Sequence, residues 1–332
     1  MRKNKAPLVH HGGNGGQGKG ILKPLKKNLI LALSLGVLVY LVLVLVSGLG
    51  ELQDALAGFD YFLIPVILGI VSLSYAMRFA RWAYYLRLLK VRVPIGTNAA
   101  IFAAGLSMTI SPGKVGEALK SVLVKDAVGA PITRTIPAVV AERATDSSGV
   151  VAWGLIGALA FSFNPWLLLI FLTLTAVCIA VLRSRRLSLL AEIILSKLPL
   201  LGRLAPRVGD FYGASNELLA LRPLAAASMV SFFAWGLDCL AVYLCAVGVG
   251  ASEPLLMVIF IYVVSLVAGN LSMLPGGIGA AEASMAGMFV AVAGLSAGTS
   301  AALTLVIRFS TLWFAVLIGV VGLLLLWKRA VR

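Results

Sequence analysis

Ser111-Pro112-Gly113-Lys114-Val115-Gly116-Glu117 and Pro275-Gly276-Gly277-Ile278-Gly279 are two Pro-Gly-rich breaks in otherwise apolar sequence. The first follows Val93–Ile110 and the second follows Pro254–Leu274; a glutamate comes after each, Glu117 and Glu282. Proline and glycine inside an apolar helix free backbone groups that lipid cannot satisfy. Such breaks persist only where they are buried in protein or line a watery cavity. Whether the flanking segments lie in a bilayer therefore decides the fold.

Composition answers that question. Of 332 residues, 60% are hydrophobic and 12% charged, against roughly 45–50% and about 25% in soluble domains. Uncharged stretches run Asn28–Gly50, Ser147–Leu182, Pro254–Ala281, Ala283–Ile307 and Phe309–Trp327, and a spanning helix needs about 20 such residues. The stretch from Ser147 is long enough for two spans and is broken at Asn164-Pro165, a turn signal. The first run has no clear small-x-small cleavage site after it and reads as the first span rather than a signal peptide. The expected fold is an all-α polytopic integral membrane protein, with about six full spans and two broken or re-entrant helical hairpins. Residues 1–27 form a basic, Gly-rich tail, and 28–332 form one membrane domain.

The net charge of +15 is informative through its placement. Lys and Arg concentrate in cytoplasmic loops. Residues 1–27 hold seven and no acid; Arg87, Lys90 and Arg92 form a second group; Lys120, Lys125 and Arg134 surround Gly129-Ala130-Pro131; seven more lie in 183–222; and Lys328, Arg329 and Arg332 follow the last apolar stretch. The remaining connections, Leu49–Asp60, Phe163–Trp166, Val249–Glu253 and Gly294–Gly298, contain none. This split puts both termini on the cytoplasmic side of the inner membrane and makes 183–222 a basic connector at its surface.

Aligning Glu117 with Glu282 pairs Ala118 with Ala283, Gly129 with Gly294 and Arg143 with Arg308, the arginine lying 26 residues beyond its glutamate in both. The first broken segment starts inside and the second outside, so units 93–161 and 254–327 are expected to form an inverted repeat. Broken helices meeting in this way are an architecture of secondary transporters.

Ten charges fall in apolar surroundings: Arg78, Arg81, Lys114, Glu117, Glu142, Arg143, Asp146, Asp238, Glu282 and Arg308. Each would cost about 2.5–3.5 kcal/mol at mid-bilayer on insertion scales, so such groups face a cavity and pair. Arg78 and Arg81 share one helical face, where snorkelling to the interface is the alternative to a site role. Arg143 and Arg308 present guanidinium forks suited to phosphate, or form fixed pairs with Glu117 and Glu282. Glu142, Asp146 and Asp238 are expected as supporting ion-pair partners. Pro112, Gly113, Gly116, Pro275, Gly276, Gly277 and Gly279 are the backbone hinges, allowing close approach of a ligand beside helix N-termini that favour an anion.

Cys178, Cys239 and Cys245 are scattered in apolar runs, which reads as buried packing, and the only histidines are His10 and His11 in the tail. No metal site, His-based catalysis or cofactor is expected, and no Gly-x-x-x-x-Gly-Lys-[Ser/Thr] loop for ATP is present.

The Ser111–Glu117 element, Glu142-Arg143 with Asp146, the run Leu274–Glu282, Arg81-Trp82 and Tyr84-Tyr85-Leu86-Arg87 together resemble the flippase-like membrane family, which includes the transmembrane region of lysylphosphatidylglycerol synthases. The resemblance covers roughly residues 28–328. It implies translocation of a polar lipid between leaflets, an anionic phospholipid or a polyprenyl-phosphate-linked headgroup. Substrate contact is expected at Arg78, Arg81, Lys114, Glu117, Arg143, Glu282 and Arg308. The chain ends at Arg332 without the aminoacyl-transferase domain of the full synthases, so synthase activity is not expected. Partners would be membrane lipid, a further copy of the chain or a separate lipid-modifying enzyme, and no nucleic acid. Two other functions compete. One is an accessory membrane subunit whose charges only hold helices together. The other is a membrane-embedded lipid transferase, for which Glu142 and Asp146 are the only close acid pair inside a span.

Overall fold

The computed structural model describes residues 34, 36–111, 116–161, 166–184, 186, 189 and 205–330. Regular structure among them is entirely helical, as composition requires. In chain order the helices are α1 (Gly36–Ser47), α2 (Leu49–Ala57), α3 (Leu63–Leu88), α4 (Ile95–Leu106), α5 (Leu119–Val128), α6 (Ile132–Ala160), α7 (Trp166–Arg183), α8 (Ala205–Leu218), α9 (Leu221–Gly248), α10 (Leu255–Leu271), α11 (Ala280–Ala291), α12 (Ala297–Arg308) and α13 (Phe314–Ala330). Among the described residues, three helices are long and apolar enough to cross a bilayer: α3, α9 and the continuous helix Ala297–Lys328 that joins α12 to α13.

The distribution of polarity is the reverse of that in a soluble protein. Phe62, Leu159, Leu221 and Trp327 are exposed, while Arg81, Glu117, Lys120, Glu142, Glu282 and Arg308 are buried. Large contiguous apolar surface of this kind needs an apolar surrounding; the membrane supplies it, and the protein interior supplies the pairing for the charges.

Two buried clusters organise the bundle. One joins α3, α6, α9, α10, α11 and α12 through residues such as Val71, Val151, Val242, Ile261, Phe289 and Ile307. The other joins the end of α3 to α4, α5, α6 and α8 through Trp82, Tyr85, Ile101, Val124, Ala138 and Leu218. The helix α8 thus packs onto the bundle within the basic connector. Helix α13 lies along α4, and this contact depends on glycine. A Cβ at Gly319 would overlap the Ser107 backbone, and one at Gly322 would sit 2.5 Å from the Ala104 nitrogen.

The chain departs from expectation at its start. The first apolar run turns by 101° between α1 and α2, at Gly48 with φ 82°. Residues 49–57, read as an outer connection, are instead helix packed on α12. Glu51 Oε2 accepts from the Gly298 amide at 3.3 Å in the first turn of α12, where a carboxylate offsets the helix dipole. Cys239 and Cys245 are buried, but Cys178, expected among the buried cysteines, is exposed on α7.

Both Pro-Gly breaks fall between short helices, and both are closed by local bonds. After α4 the chain tightens into a 3-10 turn, Ser107–Ile110. Ser111 Oγ donates to the Met108 carbonyl at 2.7 Å and accepts from the Gly116 amide at 2.8 Å, bracketing the break. After α10, Met273 takes a positive φ and Pro275–Gly277 forms a 3-10 turn, with Gly276, Gly277 and Gly279 at φ of 62°, 66° and 97°. Side chains with a Cβ rarely adopt these angles. Pro112, Gly113 and Lys114 lie outside the described residues.

Candidate functional site

The turn leading into the first break meets the second break. The 3-10 turn Ser107–Ile110 packs against Pro275–Gly277, and Ile110 and Ile278 share a small buried cluster with Leu312 and Val316. Beside this junction is a cavity of about 110 Å³. Its wall takes Arg78 and Arg81 from α3, Glu142 and Arg143 from α6, Asp238 from α9 and Arg308 from α12, with Glu117 and Lys120 following the first break. Gly276 and Gly277 bring the second break to the same wall.

Each arginine expected at the site has an acid. Arg78 Nη2 lies 2.5 Å from Asp238 Oδ2, and its guanidinium stacks 4.4 Å from the centre of the Trp235 ring. Arg81 lies 2.6 Å from Asp146 and 3.8 Å from Glu142, and donates to Ser231 Oγ. At 2% exposure Arg81 does not snorkel. Arg143 bridges Glu117 at 3.2 Å and Asp146 at 2.8 Å. Arg308 Nε donates to Glu282 Oε1 at 2.6 Å, and its Nη2 donates to the Gly276 carbonyl at 2.8 Å. The second oxygen of Glu282 accepts from the Gly279 amide at 2.7 Å, which caps the start of α11.

Of the expected contacts, Arg78, Arg81, Glu117, Arg143 and Arg308 line the cavity together. Glu282, Asp146, Gly116, Pro275 and Gly279 are not on its wall: Glu282 and Asp146 stand behind the arginines they hold. Lys114 lies outside the described residues.

Lys120 departs from expectation. It stands among the loop cations in the charge pattern, yet it is 4% exposed. Its ammonium donates to Glu142 and lies 4.6 Å from the centre of the Trp82 ring, whose Nε1 donates to Asn98 Oδ1 at 2.9 Å. The available signal was its spacing of three residues from Glu117. Tyr75, Thr109, Tyr262 and Asn270 also line the cavity; single uncharged polar residues in apolar helices give no such signal. A further unforeseen element is the π-helical turn Phe309–Trp313 directly after Arg308, anchored by Tyr75 Oη donating to the Thr311 carbonyl at 2.8 Å. Single π turns inside helices are frequent at functional sites.

The ion pairs comprise five cations, Arg78, Arg81, Lys120, Arg143 and Arg308, and five acids, Glu117, Glu142, Asp146, Asp238 and Glu282. Among the described residues, the paired cations and acids are thus equal in number. Removing one partner of a buried pair leaves an uncompensated charge, so an arriving anion can replace a carboxylate only where the cation is accessible. Arg143 meets that condition: its side chain is 33% exposed, against 4% for Arg308 and 1% for Arg81.

The family described as the lysylphosphatidylglycerol synthase transmembrane region matches residues 31–319. A UPF0104 membrane protein of Pyrococcus horikoshii is 24% identical over 335 residues, covering 92% of this chain and 98% of the relative. The match spans all of the described cavity residues, and the chain belongs to the lysylphosphatidylglycerol synthase transmembrane-region family.

Proposed function

We propose that the protein moves a phosphate-bearing lipid headgroup across the cytoplasmic membrane through the cavity at the two breaks. The observation that carries this reading is the gathering of five paired cations around one cavity, with Arg81, Lys120 and Arg308 buried, beneath an apolar outer surface. A charge cluster this large has a high collective cost in a membrane and is not needed merely to join apolar helices. Arg143 is the first contact for the phosphate, with Arg78, Arg81 and Arg308 behind it and Glu117 as the carboxylate it exchanges. Glu282 holds the enclosed Arg308 in place behind Arg143, and Glu282 and Lys114 belong to this substrate set.

The two broken units, 93–161 and 254–327, act as an inverted pair opened from opposite leaflets. About six full spans, both termini in the cytoplasm and location in the inner membrane belong to this proposal and rest on the Lys/Arg distribution. The lipid is an anionic phospholipid or carries a polyprenyl-phosphate-linked headgroup.

Mass spectrometry of lipids retained by the purified chain tests the binding half. A recurring phosphate lipid that Arg143→Ala loses is the expected result; the same lipids on wild type and variant would remove the site assignment. One observation favours an accessory, non-transporting subunit instead: among the described residues, every cavity cation is already paired. Under that reading a substitution lowers stability and leaves lipid retention unchanged, so the same measurement separates the two. Covalent conversion of labelled lipid by the purified chain would instead indicate a transferase.

A further inference from the structure

A second concavity lies on the far side of the Glu282 carboxylate. It is a groove of about 500 Å³ between α1 and α11, and among the described residues Ser47 and Glu282 are its only polar lining residues. Leu38, Val42 and Val46, spaced four apart, present one face of α1 to it; Ala283, Gly287 and Val290 present one face of α11. Leu38, Val42 and Val290 are 56%, 50% and 44% exposed, so the groove opens to the surroundings of the bundle. Glu282 is fully buried and salt-bridged to Arg308, and Arg308 lines the polar cavity. One ion pair therefore separates an apolar groove from a cluster of cations.

We propose that this groove seats an alkyl chain of a bilayer lipid whose phosphate end lies at the Arg308 side of the cavity. The inference rests on the lipid-translocation reading. The match is one of chemistry at both ends: a lipid joins an uncharged chain to an anion across a short linker, and here an uncharged groove joins a cationic cavity across one side chain. The chain's own basic tail is a poor occupant, since residues 1–27 carry seven Lys/Arg and no acid, while the groove offers them a single carboxylate already committed to Arg308. In a bilayer, leaving bulk lipid for an apolar groove brings little hydrophobic gain. The groove therefore sets the register of a chain whose headgroup supplies the affinity.

Gly287 allows a clean test, because a Cβ added there meets nothing within 4 Å and its φ is not positive. Gly287→Trp places a large side chain in the groove from a position where its Cβ meets no neighbour. Gly69→Trp is the control, on an exposed position of α3 with equal room. The full chain is reconstituted in vesicles containing phosphatidylglycerol with a diazirine on one acyl chain, irradiated, and its adducts mapped by mass spectrometry. Adducts are expected to concentrate on Leu38, Val42, Ala283 and Val290, and to fall severalfold in Gly287→Trp but not in Gly69→Trp. Adducts spread evenly over other exposed faces, such as Leu73, Phe233 and Leu317, or unaffected by Gly287→Trp, would overturn the assignment. So would disulfide-linked dimers of Gly287→Cys formed with loss of lipid adducts, which would give the groove to a second copy of the chain. Failure of the transport reading shows elsewhere, as unchanged translocation in Arg143→Ala, and leaves the adduct map as it is.

Discussion

The Arg308 guanidinium donates to Glu282 at 2.6 Å across a gap of 26 residues. The equivalent pair, Arg143 and Glu117, has the same gap and lies at 3.2 Å. In each case a glutamate just after a Pro-Gly break holds an arginine of the next long helix. The break and the span are thereby joined by a charge-assisted contact, which is short and directional. The two pairs differ in accessibility: Arg308 is enclosed, whereas Arg143 is open to the cavity.

That difference predicts unequal costs. Arg308→Ala leaves Glu282 buried and uncompensated, a loss of about 3–5 kcal/mol for a buried pair. Thermal unfolding in detergent should show a large drop for Arg308→Ala and a smaller one for Arg143→Ala. The double variant Glu282→Leu with Arg308→Met should recover part of the loss, because no lone charge remains. Equal drops for the two single variants would show that exposure does not grade the pairs.

The buried position of Lys120 makes a second distinction. Lys120→Met removes the close ammonium of Glu142 and should destabilise by about 3–5 kcal/mol. Lys125→Met, on the exposed side of the same helix, should change stability by no more than about 0.5 kcal/mol. Comparing the two melting temperatures checks whether the lysine after the first break belongs to the site.

A third expectation concerns the seam between α4 and α13. Gly319→Ala pushes a methyl into the Ser107 backbone, an overpacking change that costs about 1–3 kcal/mol. Gly50→Ala, where a Cβ meets nothing within 4 Å, should be neutral. Since Ser107 starts the turn at the first break, Gly319→Ala should also slow translocation beyond its effect on stability; a variant that melts early but translocates normally would uncouple the seam from the site.

Much of this arrangement was legible in the sequence. Glycine and proline after an apolar run identify a break because the backbone leaves them few alternatives, and Glu117, Arg143, Glu282 and Arg308 stood out because charges in apolar helices are costly. Asp238 was expected as a supporting ion-pair partner, and it pairs with Arg78. Other features were hidden for physical reasons. Lys120 resembles a surface lysine because its partner, Glu142, is 22 residues away. The turn at Gly48 depends on packing of α2 against α12, a long-range contact with no local signature. The π turn after Arg308 has no composition of its own, and Tyr75, Tyr262 and Asn270 face the cavity only because the bundle places them there.

Translocation of a fluorescent phosphatidylglycerol across proteoliposomes, scored by chemical quenching of the outer leaflet, tests the central claim most directly. Wild type and Arg143→Lys should expose inner-leaflet lipid to the quencher faster than empty vesicles, and Arg143→Ala, confirmed as folded by its melting curve, should fall to the empty-vesicle rate. Wild-type translocation by Arg143→Ala, or none by the wild-type protein with either phosphatidylglycerol or a polyprenyl-phosphate lipid, would contradict it.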